Sequence, residues 1–229
     1  MNIIEAIKVL KPFAHTSRER VSPALNRVVA NQGHLVATDG RIMAVAKGPD
    51  HLEFKSGTLC AETEEPVTFP EWRRVDVNPE SVEYEIHLDR EALVLVCDML
   101  AKAHALACKR GMVKKDASKA FKPAAYRIVP KGKNILLKRE NAGLDLDVTL
   151  RDLRVLIYGR EGYPPETPIG IDPNYLLKAA KAFRGSCIRV GVQRASNGIP
   201  GVSLALLIRG EEGIDDDLRV ILMPVRLHD

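Results

Sequence analysis

Apolar and polar positions at the start of the chain follow a helical rhythm. Between Asn2 and Ala14, apolar Ile3, Ile7 and Leu10 recur on one face with Ile4 and Ala14 beside them, and Lys8 and Lys11 lie on the other. That three-and-four spacing predicts an amphipathic helix, which Pro12 kinks or ends near Lys11. A polar loop, His15 to Arg20, follows. The period then shortens, predicting strands over Leu25–Ala30, His34–Thr38 and Arg41–Ala46. The turns between them carry Gly33 and Gly40, which supply the positive φ of tight hairpins. One more short strand is expected near Gly57–Ala61. Pro66 to Pro79 is a proline-flanked connector carrying the single tryptophan, Trp72.

Two further units repeat this order. Strand Val82–Leu88 leads to Asp89 as an N-cap and a long helix, Ala92–Lys109. Arg110 to Pro123 is dense in lysine without apolar period and is expected as an exposed loop. Strands at Ala125–Val129, Ile135–Arg139 and Asp145–Tyr158 complete the unit. The third opens with a Gly/Pro-rich link, Gly159–Pro168, and strand Ile169–Ile171. Asp172 and Pro173 form a cap and first-turn pair for the helix Asn174–Phe183. Strands Ile188–Gln193, Val202–Ile208 and Leu218–Leu227 follow. One helix and about three strands, three times over, predict an α+β fold of repeated half-units with mostly antiparallel sheet.

Composition narrows the function classes. The 229 residues are 45% hydrophobic and 28% charged, which excludes global disorder and fibrous architectures. No apolar run approaches the ~18 residues of a membrane-spanning helix, and the N-terminus lacks the pattern of a secretory signal. Cys60, Cys97, Cys108 and Cys187 form no C-x-x-C pair and are expected as reduced thiols in the cytoplasm. The net charge of +4 permits a polyanionic partner without demanding one. No phosphate-binding Gly-Lys loop, nucleophile elbow or H-E-x-x-H occurs. His87 with Asp89 is a strand-end pair, and Asp215 to Asp217 is an acidic loop. No catalytic residue, metal site or cofactor is expected, and the chain does not read as an enzyme.

Four segments carry a family resemblance. Val36-Ala-Thr-Asp-Gly40, continuing through Arg41 to Val45, resembles the V-A-T-D-G-x-R-L-A turn of the bacterial sliding clamp, the β subunit of the replicative DNA polymerase. Phe69-Pro-Glu-Trp-Arg-Arg-Val75 is similar to that family's F-P-D-Y-R-R-V connector. Val220 to Leu227 resembles its closing V-V-M-P-M-R-L run, and Gly170 to Leu177 its F-N-x-x-Y-L helix start. The segments stand in the family's order and cover parts of its middle and last domains. Only about 24 residues separate Val45 from Phe69, where the family has a further half-unit. The chain therefore counts three half-units where a two-domain protomer has four, as in a reduced phage or mobile-element relative. Residues 1–68 read as an N-terminal half-unit or short domain. Residues 69–229 read as a C-terminal clamp-like domain with a Lys-rich insertion near 110–123.

The resemblance implies a DNA clamp fold and a processivity factor that encircles duplex DNA. It implies a hydrophobic cleft for clamp-motif peptides, built from Thr38, Gly40, Arg41 and Met43 with Pro70, Arg74 and Val75. Ile221, Met223, Pro224, Val225, Arg226 and Leu227 complete it. Methionine and valine suit an adaptable apolar floor. It also implies phosphate contact through helix cations that position without reading bases: Lys8, Lys11, Lys102, Lys109, Arg110, Lys178, Lys181 and Arg184. The implied partners are duplex DNA, a DNA polymerase, a clamp-loader ATPase and further copies of the chain, with no membrane. The rival expectation is an adaptor or regulator that keeps the cleft and does not encircle DNA.

Overall fold

The computed structural model describes residues 2–15, 23–48, 58–63, 65–109, 126–131, 134–139, 148–150, 154–157, 169–193 and 205–224. Three helices lie among them: α1 (Ile3–Leu10), α2 (Arg90–Lys109) and α3 (Pro173–Ala182). The strands are β1 (Val29–Asn31), β2 (His34–Thr38), β3 (Ile42–Lys47), β4 (Thr58–Cys60) and β5 (Val82–Asp89). After α2 come β6 (Tyr126–Lys131), β7 (Asn134–Arg139), β8 (Val148–Leu150), β9 (Arg154–Ile157) and β10 (Ile169–Ile171). After α3 come β11 (Cys187–Gln193), β12 (Leu206–Arg209) and β13 (Leu218–Leu222).

Nine of these strands form one antiparallel sheet in the order β4-β1-β2-β3-β13-β12-β11-β5-β9, and four form a second, β10-β6-β7-β8. The last described strand, β13, thus pairs with β3 of the first unit, in the register Ile42↔Leu222 through Ala46↔Leu218. One predicted strand, Asp145–Tyr158, is two. β8 joins the small sheet beside β7, and β9 joins the edge of the large one beside β5. Each sheet therefore takes one half of a segment that reads as continuous in sequence. Residues 25 and 26 belong to a 3-10 turn, Pro23–Asn26, and the strand begins later, at Val29. The Lys-rich stretch 110–123 and the link 159–168 lie outside the described residues.

Local chemistry accounts for the helix boundaries. Asn2 Oδ1 accepts from Glu5 N at 2.8 Å and caps α1. The chain tightens into a 3-10 turn at Lys11–Phe13, where Pro12 has no N–H to continue the helix. Asp89 Oδ1 accepts from Ala92 N at 2.7 Å at the start of α2, and Asp172 Oδ1 from Asn174 N at 2.8 Å at the start of α3. Each such cap is worth about 1 kcal/mol.

The large sheet is covered on both faces near its centre. Ile42, Ala44 and Ala46 of β3 point into the core beneath the helices, with Leu10, Leu93, Leu100, Leu176 and Phe183. Met43 and Val45 point the other way, into a second cluster with Val36, Trp72, Val77 and Ile221. Strand periodicity of two separates the sets, and burial on both faces explains the uninterrupted apolar run from Ile42 to Ala46. The covering of the second face is the connector, which crosses the sheet as a strap. Trp72 donates from Nε1 to Asn31 Oδ1 at 3.1 Å, and the Arg73 guanidinium stacks 4.5 Å over its ring.

Beyond the strap, this outer face turns polar. His87, Arg189, Arg209 and Arg219 are successive register partners on β5, β11, β12 and β13. Neighbouring like charges on a sheet repel, and carboxylates offset them here. Buried Glu85 pairs with Arg209, and Asp76 binds Arg219 with two bonds of 3.0 and 2.7 Å.

Candidate functional site

The turn between β2 and β3 is held by its own side chains. Thr38 Oγ1 donates to the Ile42 carbonyl at 2.7 Å and accepts from Gly40 N at 3.0 Å. Asp39 Oδ1 accepts from Arg41 N at 2.9 Å and Ile42 N at 3.1 Å. Short polar side chains that bond the backbone two or three residues on are what stabilise such turns. Gly40, at φ +89°, takes the left-handed position that a side chain would strain.

Strand pairing then brings the C-terminal segment to this turn. Met223 N donates to the Arg41 carbonyl at 2.9 Å, just past the Ile42↔Leu222 pair. Met223 and Pro224 therefore leave the sheet beside Arg41. Met223 stays 43% exposed, whereas Met43 and Ile221 are buried in the cluster under the strap. The two buried side chains belong to the cluster under the strap, and Met223 is the exposed apolar group of this segment. Pro70, Arg74 and Val75 sit exposed on the strap around Trp72, with Val75 49% exposed. Val225, Arg226 and Leu227 lie outside the described residues.

Helix α3 closes one side of the turn. The Tyr175 hydroxyl hydrogen-bonds the Asp39 carboxylate; burial, then that carboxylate, push the phenol up to about 12. Lys178 Nζ lies 3.9 Å from Asp39 Oδ2 and 5.3 Å from the centre of the Tyr175 ring. Burial also raises Asp172 above the ordinary carboxylate range, opposed by its bonds to Asn174 and by the charges of Arg41 and Lys178. The meeting of Asp39, Asp172 and Tyr175 escapes a reading by segment, although Asp172 reads as a cap and Asp39 as a turn residue. Their roles depend on α3 meeting the β2–β3 turn across more than 130 residues. The available signal was the placement of Tyr175 in the first turn, three residues after the cap, where a phenol lies at the helix end.

The proposed phosphate-facing cations are more compensated than a basic wall requires. Lys11 pairs with Glu62 at 2.8 Å, Lys102 with Asp98 at 2.6 Å, Arg184 with Glu5 at 3.1 Å, and Lys178 faces Asp39. Lys8, Lys109 and Lys181 are exposed. Arg110 lies outside the described residues. Among the described residues, no group of three or more His, Cys, Asp or Glu side chains is arranged to hold a metal ion. No helix among them is long and apolar enough to cross a membrane.

No family model and no curated protein matches the sequence. Solved structures do match the fold. The pol III beta of Caulobacter crescentus superposes with a TM-score of 0.67 at 18% identity, over 99% of this chain and 65% of that one. A DnaN sliding clamp (DNA polymerase III subunit beta) from Pseudomonas aeruginosa, bound to griselimycin, matches at 0.66 and 16% identity, over 98% and 63%. The DNA polymerase III subunit beta of Borrelia burgdorferi, in complex with a natural product, matches at 0.67 and 15%, over 99% and 61%. With helices packed on antiparallel sheet throughout, the chain has the sliding-clamp fold, on a span less than two thirds the length of these clamps.

Proposed function

We propose that this protein is a DNA sliding clamp of reduced size, which tethers a DNA polymerase to duplex DNA and recruits it through the cleft at Met223. One observation carries the reading: the β3–β13 pairing and the Met223–Arg41 bond join the Thr38–Arg41 turn to the C-terminal segment. A peptide with apolar side chains finds Met223 there, with Arg41 beside it for its polar atoms. Residues 1–68 are then a clamp-like half-unit or short domain, and residues 69–229 a clamp-like domain with a Lys-rich insertion near 110–123. A clamp of this kind performs no chemistry. It raises the effective concentration of its partner at the primer end, and a loader ATPase opens the ring.

A second reading, an adaptor that binds clamp-motif peptides without encircling DNA, is favoured by helix α2. Its Leu95, Met99 and Leu106 are exposed on the kind of surface where a phosphate-facing helix carries cations. A fluorescent peptide bearing a clamp-binding motif tests the cleft. Met223→Asp is expected to weaken binding by about a hundredfold, as for a central interface residue, and unchanged binding overturns the cleft. Retention on circular DNA that is lost on linearisation and in high salt separates the clamp from the adaptor.

A further inference from the structure

The turn between β2 and β3 contains the single Asp-Gly step of the chain, Asp39-Gly40. With no side chain on the glycine, its backbone nitrogen is free to attack Cγ of the aspartate before it. The N–Cγ bond forms, and a carboxyl oxygen leaves as water with the amide proton and the carboxyl proton. The product is a five-membered succinimide. Water then opens the ring at either carbonyl. Opening at the main-chain carbonyl leaves isoaspartate, in which the chain runs through Cγ and is one methylene longer. No atom is gained or lost overall, and nothing is oxidised or reduced.

In the folded chain both partners of this step are held. The Gly40 N–H donates to Thr38 Oγ1 at 3.0 Å, and the Thr38 hydroxyl donates to the Ile42 carbonyl at 2.7 Å. Asp39 Oδ1 accepts from Arg41 N at 2.9 Å and from Ile42 N at 3.1 Å. Lys178 Nζ stands 3.9 Å from Oδ2 of this side chain, which is 11% exposed. The Tyr175 hydroxyl bonds the same carboxylate. Hydrogen bonds approach a carboxyl group near its plane, whereas the attacking nitrogen must come through its face. Ring closure therefore requires the carboxylate to give up its donors and the Gly40 peptide to turn away from Thr38.

We propose that Asp39-Gly40 is a latent site of isoaspartate formation, with water as the co-reactant, and that the Thr38 hydroxyl is its lock. The modification reaches beyond the turn. Once the chain runs through Cγ, the carboxylate no longer stands where Oδ1 serves Arg41 N and Ile42 N. Those two bonds set the start of β3, where Ile42 pairs with Leu222 and Met223 N donates to the Arg41 carbonyl at 2.9 Å. The turn that gathers the C-terminal segment is thus the place where this chain ages. The site rests on the bonds of the turn and does not depend on a peptide binding there.

Peptide mapping of the aged full-length chain tests this. Trypsin releases residues 28–41 as one peptide, bounded by Arg27 and Arg41, and fragmentation places isoaspartate at residue 39. Its formation is followed in neutral buffer, folded and in urea. The folded parent should form it about a hundredfold more slowly than the parent in urea. Thr38→Val should raise the folded rate about tenfold through the loss of one hydrogen-bonded restraint, and Thr38→Ser should stay near the parent. The urea curve of each variant gives its unfolded fraction, and so the rate that global unfolding alone would produce. The Thr38→Val rate should exceed that rate, and Thr38→Ala takes its place if Thr38→Val does not fold. Equal rates for the folded and unfolded parent overturn the lock. So does a variant rate no higher than its unfolded fraction predicts, or a Thr38→Ser rate that matches Thr38→Val. An unfolded parent that forms no isoaspartate at residue 39 overturns the site itself.

Discussion

The two faces of the nine-stranded sheet are built on different physics. The helix side is a continuous aliphatic core, closed by three helices and centred on side chains with no exposure, such as Leu10, Leu35 and Ile208. The outer side is a patch. A strap with one tryptophan covers Val36, Met43 and Ile221, and a row of arginines compensated by Glu85 and Asp76 takes over where the strap ends. Burial drives the first face, at roughly 1.5–3 kcal/mol for each large apolar side chain. On the second, a few specific contacts position a connector. The face that is held less strongly is the one that carries Met43 and Ile221, next to Met223.

Substitutions can break this contrast. The largest effect is expected on the helix side: Phe183→Ala removes a ring 2% exposed in the main core and should cost about 4 kcal/mol in urea denaturation. On the strap, Trp72→Phe keeps most of the apolar area. It loses the bond to Asn31 and weakens stacking by Arg73 and Arg219, a cost of about 1 kcal/mol. If the two costs came out equal, the faces would not differ in the way described. The smallest effect sharpens the boundary between them. Asp172 has a folded pKa above its ordinary value of 3.8, so it disfavours the folded state at neutral pH. That penalty is relieved as pH falls through the raised value towards 3.8. Asp172→Asn keeps the cap and removes the titration. The variant should equal or exceed the parent by a few tenths of a kcal/mol at pH 7, and it should lose the parent's relative gain on acidification.

Much of this architecture was legible in the chain itself, for reasons that particular residues make plain. Local chemistry writes the turns and caps. Gly33 and Gly40, Asp89 and Asp172, and the Pro12 break all fall where short-range rules place them. The turn and C-terminal segments were recognisable because their small polar and apolar residues have fixed spacing. Sheet order was not legible. Nothing within β3 names β13 as its neighbour, and the parting of β8 from β9 depends on which sheet each half reaches. The surroundings of the charges were not legible for a related reason. Lys178 and Arg184 read as one helix face in sequence, yet α3 ends at Ala182, and Asp39 and Glu5, distant along the chain, decide what surrounds the two charges. Met43 and Ile221 read as cleft lining and are floor beneath the strap, because the strap's path is a tertiary fact.

The pairing of β3 with β13 also sets an order of events during synthesis. β3 is complete once Lys47 has been made, but its second neighbour is made some 170 residues later. Until Leu222 emerges, β3 carries an open hydrogen-bonding edge flanked by apolar side chains, the kind of edge that recruits other chains. Contacts so distant in sequence also form slowly. A nascent or truncated chain that lacks β13 therefore carries a sticky strand edge, which the pairing of β13 seals.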